Sequence, residues 1–476
     1  MRNPSSPDRT TVFERQPPAA SVVEHALEDT RHSVFWLDDL GRTATSPALA
    51  GSVVADLAVV GGGYCGLWTA VLAKRRDPDA RVVLLEAKEI GWAASGRNGG
   101  FVDASLTHGE SNGHARWPKE MDVLERLGLE NLDSIESSIR ELGINADFER
   151  TGSLDVAIES HQIPWLDQSP EAFLDQDAVR AQVNSPTYLA GAWAKRTTAL
   201  VHPAKLAYEL ARVAAELGVE IFEHSRVRDL DAAGDGPVTL RTDGGTVLAT
   251  KVALATNVFP SLLKRQRLMT VPVYDYVLMT EPLGAAQLKS IGWKNRQGVG
   301  DLANQFHYYR MSADNRILWG GYDAIYHYGR VIRDSNEFRP ETWGKLANHF
   351  FTTFPQLDGL KFSHRWSGAI DTSTQFCAFF GLNKRGRVAS ASGFTGLGVA
   401  STHFAAEVML DRLAGLSTER TELEMVKRMP LPFPPEPLAY LGVQATRWAL
   451  NRADHTQGNR NLLLKTLDAV GLGFDS

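Results

Sequence analysis

A chain of 476 residues, 43% of them hydrophobic, can bury a substantial core and suggests two or three domains. Its 50 basic and 56 acidic residues leave a formal net charge of -6, so no basic field exists for wrapping nucleic acid or binding an anionic membrane surface. Two cysteines, Cys65 and Cys377, exclude a disulfide framework and a four-ligand zinc site, and a cytoplasmic location follows as the expectation.

The opening MRNPSSPDRTTVFERQPP has no apolar run after its charges and does not read as a secretory signal. Residues 1–49 read as an N-terminal arm, in which SVVEHALEDTRHSVFWLDD forms one packed helix or an extended segment. Asp56–Val60 is a short, nearly all-apolar strand of the kind buried in a parallel sheet, and Leu67, Ala70 and Val71 then recur at helical spacing. The uncharged stretch from Leu57 to Ala73 falls short of the ~20 residues a spanning helix needs, and glycines break it, so no membrane span is expected. Between strand and helix, Gly61, Gly63 and Gly66 follow G-x-G-x-x-G, with Tyr64 and Cys65 inside the turn. The first glycine permits the tight turn, the second lets backbone approach a pyrophosphate, and the third lets helix pack on strand. The helix start then offers N–H groups to an anion. RVVLLE supplies a second buried strand that ends in Glu86 and Ala87, and an acid at this distance from the turn accepts hydrogen bonds from ribose hydroxyls.

The next stretch, IGWAASGRNGGFV, is too rich in glycine and small residues for a packed helix and would let backbone lie flat against a planar ring. Here the chain resembles the FAD-dependent oxidoreductases of the D-amino acid oxidase superfamily, in which a G-x-S-G-R-N-G-G stretch follows the ribose-binding acid and passes along the flavin. The resemblance implies Ala94, Ser95, Gly96, Arg97, Asn98, Gly99 and Gly100 as flavin-site residues. Three later landmarks extend it. In ALVHPAKLAYELARVAAELGVEIFEHSRVRDLD, His202 and Pro203 open a helix, and the strand after it leads to Val227, whose backbone would face the adenine. KVALATNVFP is similar to the strand closing the dinucleotide domain, with Ala255, Thr256 and Asn257 near the adenosine end. ASGFTGLGVASTHFAAEVMLDRLAG carries Gly393, Thr395, Gly396, Leu397 and Gly398 into a long helix. In that superfamily the helix points its N-terminus at flavin N1 and the C2 carbonyl, where its dipole offsets the negative charge of reduction.

The implied fold is α/β: a Rossmann-like FAD-binding domain of the glutathione-reductase/D-amino acid oxidase type, with an inserted antiparallel-sheet substrate domain of α+β character. The flavin domain would be discontinuous, from 50–110, 195–262 and 366–420, and the substrate domain would take 111–194 and 263–365. Within the latter, Leu124, Leu127, Leu132, Ile135 and Ile139 predict a helix in 115–143, and TGSLDVAIE, VPVYDYVLMTEP and NRILWGGYD read as strands. In 421–476, Pro430, Pro432, Pro434, Pro435 and Pro437 impose an extended tether, followed by helices around Trp448 and NLLLKTLDAVG.

The candidate catalytic residues lie on the strands. VPVYDYVLMTEP alternates, so Tyr274 and Tyr276 share one face while Val273, Asp275 and Val277 share the other. One face should line a pocket, and the tyrosines either wall an amine through ring-face attraction or pack in the core. NQFHYYRM adds His307, Tyr309 and Arg310 beside Tyr308 as pocket candidates. His108 follows the flavin loop and either reaches the pocket or caps a turn.

HRWSGAIDTSTQFCAFFG matches the superfamily segment that crosses the flavin edge after a tryptophan-x-glycine ending at Gly368. Members acting on simple α-amino acids carry an arginine just after that glycine; here Ala369, Ile370 and Asp371 follow. An acid there favours an ammonium, although Asp371 equally suits a turn cap. The pattern is most similar to the γ-glutamylputrescine oxidoreductase branch. It implies oxidation of a C–N bond in a small primary or secondary amine, by hydride transfer to flavin N5 and hydrolysis of the imine. The electron acceptor is O2 or another oxidant, and NRILWGGYD, with Arg316 and Trp319 but no lysine, argues against oxygen. The flavin loop holds no histidine or cysteine for a covalent link, so non-covalent FAD is expected; both cysteines read as small buried residues. His403 and Glu407 lack a third ligand and predict no metal. The alternatives are a D-amino acid or glycine-type oxidoreductase gripping a carboxylate with Arg310 or Arg365, a flavin-binding redox sensor or scaffold without turnover, and a nicotinamide dehydrogenase.

Overall fold

The computed structural model describes residues 10–41 and 45–469; the expected N-terminal arm and C-terminal segment therefore extend outside the described residues at 1–9, 42–44 and 470–476. The apolar run before the glycines becomes the strand Gly51–Val60, and Val82–Leu85 and Gly245–Leu254 flank it in parallel. Glu220–Phe222 adds in parallel beyond Val82–Leu85, and Val388–Ser392 pairs in parallel with Gly245–Leu254. A parallel sheet needs cover on both faces, and Ala58, Val59 and Val82 to Leu84 are fully buried. Helices Tyr64–Arg76 and Gly398–Ala414 join one core with Trp68 and Phe404. Lys74, Arg75 and Arg76 close the first helix at the end where its dipole favours cations.

A second, mostly antiparallel sheet lies around the strands Thr270–Thr280 and Phe362–Ser373. It continues through Ile317–Gly321, His307–Met311, Gly298–Asp301, Ser153–Ala157 and Ala190–Ala194. Helix Pro340–Thr353 covers one face, where Trp343 and Phe350 pack with Tyr274, Tyr276, Tyr309 and Trp319. The boundary expected at residue 366 falls inside Phe362–Ser373, which runs whole in this sheet. A small ribbon, Phe101–Asp103 paired with Thr198–Leu200, follows the flavin loop.

Three segments differ from expectation. The arm is neither one helix nor extended: helix Ala20–Leu27 packs on Pro340–Thr353, Arg31–His32 pairs with the sheet edge at Phe362–Ser373, and helix Phe35–Leu40 follows. An open strand edge is a liability, and this pairing covers it. The helix expected over 115–143 is two, Glu110–Arg116 and Met121–Glu141, because Pro118 holds the preceding Trp117 out of helical geometry. Beyond the prolines, helix Leu438–Asp454 docks on the second sheet, where the Asp454 carboxylate accepts from the Asn304 and Gln305 N–H groups at 2.8 and 3.1 Å.

Candidate functional site

At the glycine turn, Gly61 adopts φ +117°, and a Cβ there would sit 2.3 Å from the Ala255 carbonyl oxygen. At Gly66 a Cβ would fall 1.8 Å from the Gly61 carbonyl oxygen, so helix and strand touch through backbone alone. Gly63 and Tyr64 start the helix, and the Tyr64 N–H donates to the Ser95 hydroxyl at 2.9 Å. Ser95 therefore reaches from the loop to the helix N-terminus where a pyrophosphate would lie. Glu86 is buried, and its carboxylate accepts from the Gly62 N–H (2.7 Å), the Lys88 N–H (2.8 Å) and the Trp92 indole (2.9 Å); Ala87 beside it is exposed. Val227 packs its side chain among the apolar residues behind the sheet. Ala255 donates its N–H to the Val60 carbonyl at 2.8 Å, and the Thr256 carbonyl accepts from Phe259. Asn257 follows at φ +47°, with a buried side-chain oxygen that has no partner. These features fit a dinucleotide: a cradle that a single Cβ would fill, an acid at the strand end, and an orphaned acceptor at the far end.

Ala94–Arg97 forms one helical turn, after which Asn98 Nδ2 donates to the Ala94 and Ser95 carbonyls and its Oδ1 accepts from the Gly100 N–H at 2.8 Å. Gly96 backs onto the Gly91 carbonyl, and Gly99 onto the Tyr308 ring. Arg97 does not point into open space: it pairs with Glu337 at 2.7 Å and donates to the Trp92 and Ser367 carbonyls. Trp36 of the N-terminal arm donates to the Asn98 carbonyl at 3.0 Å, a contact with no short-range signal in sequence.

On the opposite side, Gly393 and Gly396 take left-handed φ values of +79° and +92°, and Thr395 takes +49°. Gly396 is exposed, with Leu397 and Gly398 half-buried at the start of the helix. The Asp371 carboxylate accepts from the Gly393 and Phe394 N–H groups, the latter at 3.1 Å. Asp371 is 2% exposed, and burial pushes its carboxyl up to about 7 against those hydrogen bonds. The structure thus gives it the turn-tethering role rather than contact with an ammonium. His108 lies beside this loop, its Cε1 4.0 Å from a Cβ built at Gly396, and burial lowers its pKa to about 4.

The alternation of the sheet separates the remaining candidates. Gly368, Asp275 and Tyr308 occupy the face turned toward the flavin loop: a Cβ at Gly368 would lie 3.9 Å from Arg97 Cβ, and the Tyr308 hydroxyl donates to Asp275. Arg310 shares that face but donates to the Gly100 and Val201 carbonyls, and burial lowers its pKa to about 10. Tyr274, Tyr276, His307 and Tyr309 occupy the other face and are essentially fully buried, which removes them from the pocket. The Tyr276 hydroxyl donates to the Asn336 carbonyl, Tyr309 bonds Tyr188, and His307 sits between Asp301 (2.7 Å) and His349 (3.0 Å). Alternation in the sequence left both readings of Tyr274 and Tyr276 open and offered residues from both faces of His307–Met311, because aromatic residues suit a core as well as a pocket wall. Two acids that the sequence reading did not single out, Asp103 on Phe101–Asp103 and Asp155 on Ser153–Ala157, lie close enough for the charge of Asp103 to act on Asp155.

A glycine turn on a parallel sheet, with a second, mostly antiparallel sheet in the same chain, is an architecture of flavin-dependent oxidoreductases. The chain belongs to the FAD dependent oxidoreductase (DAO) family, whose pattern matches residues 56–412. It is 31% identical over 415 residues to gamma-glutamylputrescine oxidoreductase of Escherichia coli, covering 81% of this chain and 90% of that protein. It is 25% identical over 341 residues to the sarcosine oxidase subunit beta of an Arthrobacter species, covering 67% of this chain and 76% of the relative. Among solved structures, glycine oxidase from Geobacillus kaustophilus superposes with a TM-score of 0.62 at 20% identity, over 77% of this chain and 96% of that one. The protein is an FAD-dependent oxidoreductase. Among the described residues, no helix is long and apolar enough to cross a membrane.

Proposed function

We propose that this enzyme oxidises a C–N bond in a primary or secondary amine of the γ-glutamylputrescine type, using non-covalently held FAD. The observation that carries this is the segment after Gly368, where Ala369 and Ile370 stand and Asp371 is tied into the Gly393–Phe394 turn. No arginine is placed there for an α-carboxylate. The two alternative arginines do not stand beside Gly368: Arg310 holds the Gly100 and Val201 carbonyls, and Arg365 stacks over Phe338 and Trp343 on the opposite face of the sheet. The named relative acting on γ-glutamylputrescine points the same way.

Bound FAD supplies the hydride acceptor, and the substrate carbon beside the nitrogen loses that hydride to leave an imine that water hydrolyses. The chain's part is placement. Gly61, Gly63 and Gly66 would admit the pyrophosphate, Glu86 would meet the ribose, and the Ser95–Gly100 loop would hold the ring end of the cofactor. The dipole of Gly398–Ala414 favours negative charge near Gly396. Neither cysteine is set up for redox chemistry or a flavin link, because burial pushes Cys65 up and Cys377 to about 12. A cytoplasmic setting, with an acceptor other than oxygen, completes the proposal. The test is anaerobic mixing of the purified yellow enzyme with amines and with the matching amino acids. Bleaching by amines alone supports the proposal; bleaching by glycine or D-amino acids alone overturns it in favour of the amino-acid alternative.

A further inference from the structure

The register partners of Gly300 across the sheet are Asp155 on one side and Tyr308 on the other. A Cβ at Gly300 would meet nothing closer than the Asp155 carboxylate oxygen at 3.7 Å, so the space over it is open. Gly298 beside it is covered by the Phe101 ring, which meets Tyr308 edge-on at 5.8 Å. Phe101 and Asp103 are two residues apart on one strand, so they share a face and both turn toward this space.

Asp155 is the unusual member. Asp103 accepts from the Ser105 N–H and the Thr198 hydroxyl, and Asp275 accepts from the Tyr308 hydroxyl and the Tyr276 N–H. Asp155 accepts no hydrogen bond from any described residue. Its side chain is solvent-accessible and stands beside the open space over Gly300. Burial and the nearby charge of Asp103 push its carboxyl up to about 7, and burial pushes Asp275 up to about 6. A carboxylate without a hydrogen-bond donor, set beside a second acid, is disfavoured in its ionised form unless something compensates it. The FAD pyrophosphate and the reduced ring are themselves negative and cannot serve as the compensating partner. A cation can, and two aromatic rings beside the same space add ring-face attraction for one.

We propose that Asp155, with Asp103, Phe101 and Tyr308 around Gly300, holds a second, non-reacting ammonium group of the substrate, making the enzyme selective for amines that carry two ammonium groups. This rests on the amine-oxidation proposal and extends it. The reacting nitrogen must be neutral when its carbon gives up hydride, so a carboxylate of this kind serves the other end of the molecule. Asp155 is here a specificity residue, and the Asp371 carboxylate remains part of the loop.

The experiment uses holoenzyme with 1,4-diaminobutane and 1-aminobutane as probes. Binding is followed by the perturbation of the flavin absorption spectrum and by the shift in melting temperature, and turnover by anaerobic bleaching. The expected result is at least tenfold tighter binding of the diamine by the wild type. Asp155→Asn should erase that preference while leaving 1-aminobutane binding within twofold and flavin content unchanged; Asp155→Glu should retain part of it. Equal binding of the two probes by the wild type, or a preference that survives Asp155→Asn, overturns the inference. Failure of every amine to bleach the flavin, with the binding preference intact, overturns the amine-oxidation proposal and leaves the cation pocket standing.

Discussion

The glycine turn makes the sharpest quantitative prediction. In Gly66→Ala the added methyl would stand 1.8 Å from the Gly61 carbonyl oxygen, 3.0 Å from its carbon and 3.2 Å from Val59 Cγ1. Ordinary contact needs roughly 3.5 Å or more, so helix Tyr64–Arg76 must move off the strand by well over an ångström. The obstacle is backbone, which a rotamer change cannot relieve. Overpacking costs about 1–3 kcal/mol, and a backbone clash belongs at the top of that range. If about 3 kcal/mol falls on the flavin-bound state, affinity drops by roughly 100-fold. The assay is titration of apoprotein with FAD by flavin fluorescence quenching, alongside thermal unfolding. Gly344→Ala is the matched control: it lies inside helix Pro340–Thr353, a Cβ there meets nothing within 4 Å, and alanine should stabilise by about 0.5–1 kcal/mol. Wild-type FAD affinity and melting temperature in Gly66→Ala would refute the argument that this turn is packed through backbone.

Asp371 gives a pH prediction. Its folded-state carboxyl titrates near 7 against an ordinary 3.8, so unfolding releases a proton over that interval and the ionised form disfavours the native state. Stability should fall as pH rises from about 4 to about 7, by up to roughly 4 kcal/mol from this group; Asp371→Asn should flatten the melting-temperature profile there and, by losing one backbone partner, weaken FAD binding at least tenfold. An unchanged profile would count against the buried tether. Arg310→Met leaves the Val201 carbonyl without its side-chain donor, while the Gly100 carbonyl keeps its bond from the Val201 N–H, and should cost about 1–3 kcal/mol in denaturant unfolding, with weakened flavin binding; retained stability would show that the contact is dispensable. His307→Phe lies on the far face of the sheet, so it should lower melting temperature while flavin content and substrate KM stay close to wild type. A specific rise in KM would restore His307 to the pocket.

The cofactor half of the site was far more legible than the substrate half. Gly61, Gly63, Gly66 and Glu86 lie within one strand-turn-helix-strand unit, and their spacing alone dictates that backbone must pass close to backbone. The substrate face had no such local rule. Period-two alternation correctly separated Tyr274 and Tyr276 from Asp275, and it likewise separates His307 and Tyr309 from Tyr308 and Arg310. It gave no means of knowing which set met the flavin loop.

The amino-acid sequence determined the strand-turn-helix cradle, the family and the absence of an arginine after Gly368, because each depends on residues close together in the chain. Tertiary structure decided which sheet face is buried, since helix Pro340–Thr353 covers one side and the Ala94–Gly100 loop meets the other. It also decided that Asp371 binds the 393–394 turn and that Asp103, Asp155 and Tyr308 converge from three separate strands. Long-range register sets those meetings, and a one-residue slip in any strand would turn its side chains to the opposite face.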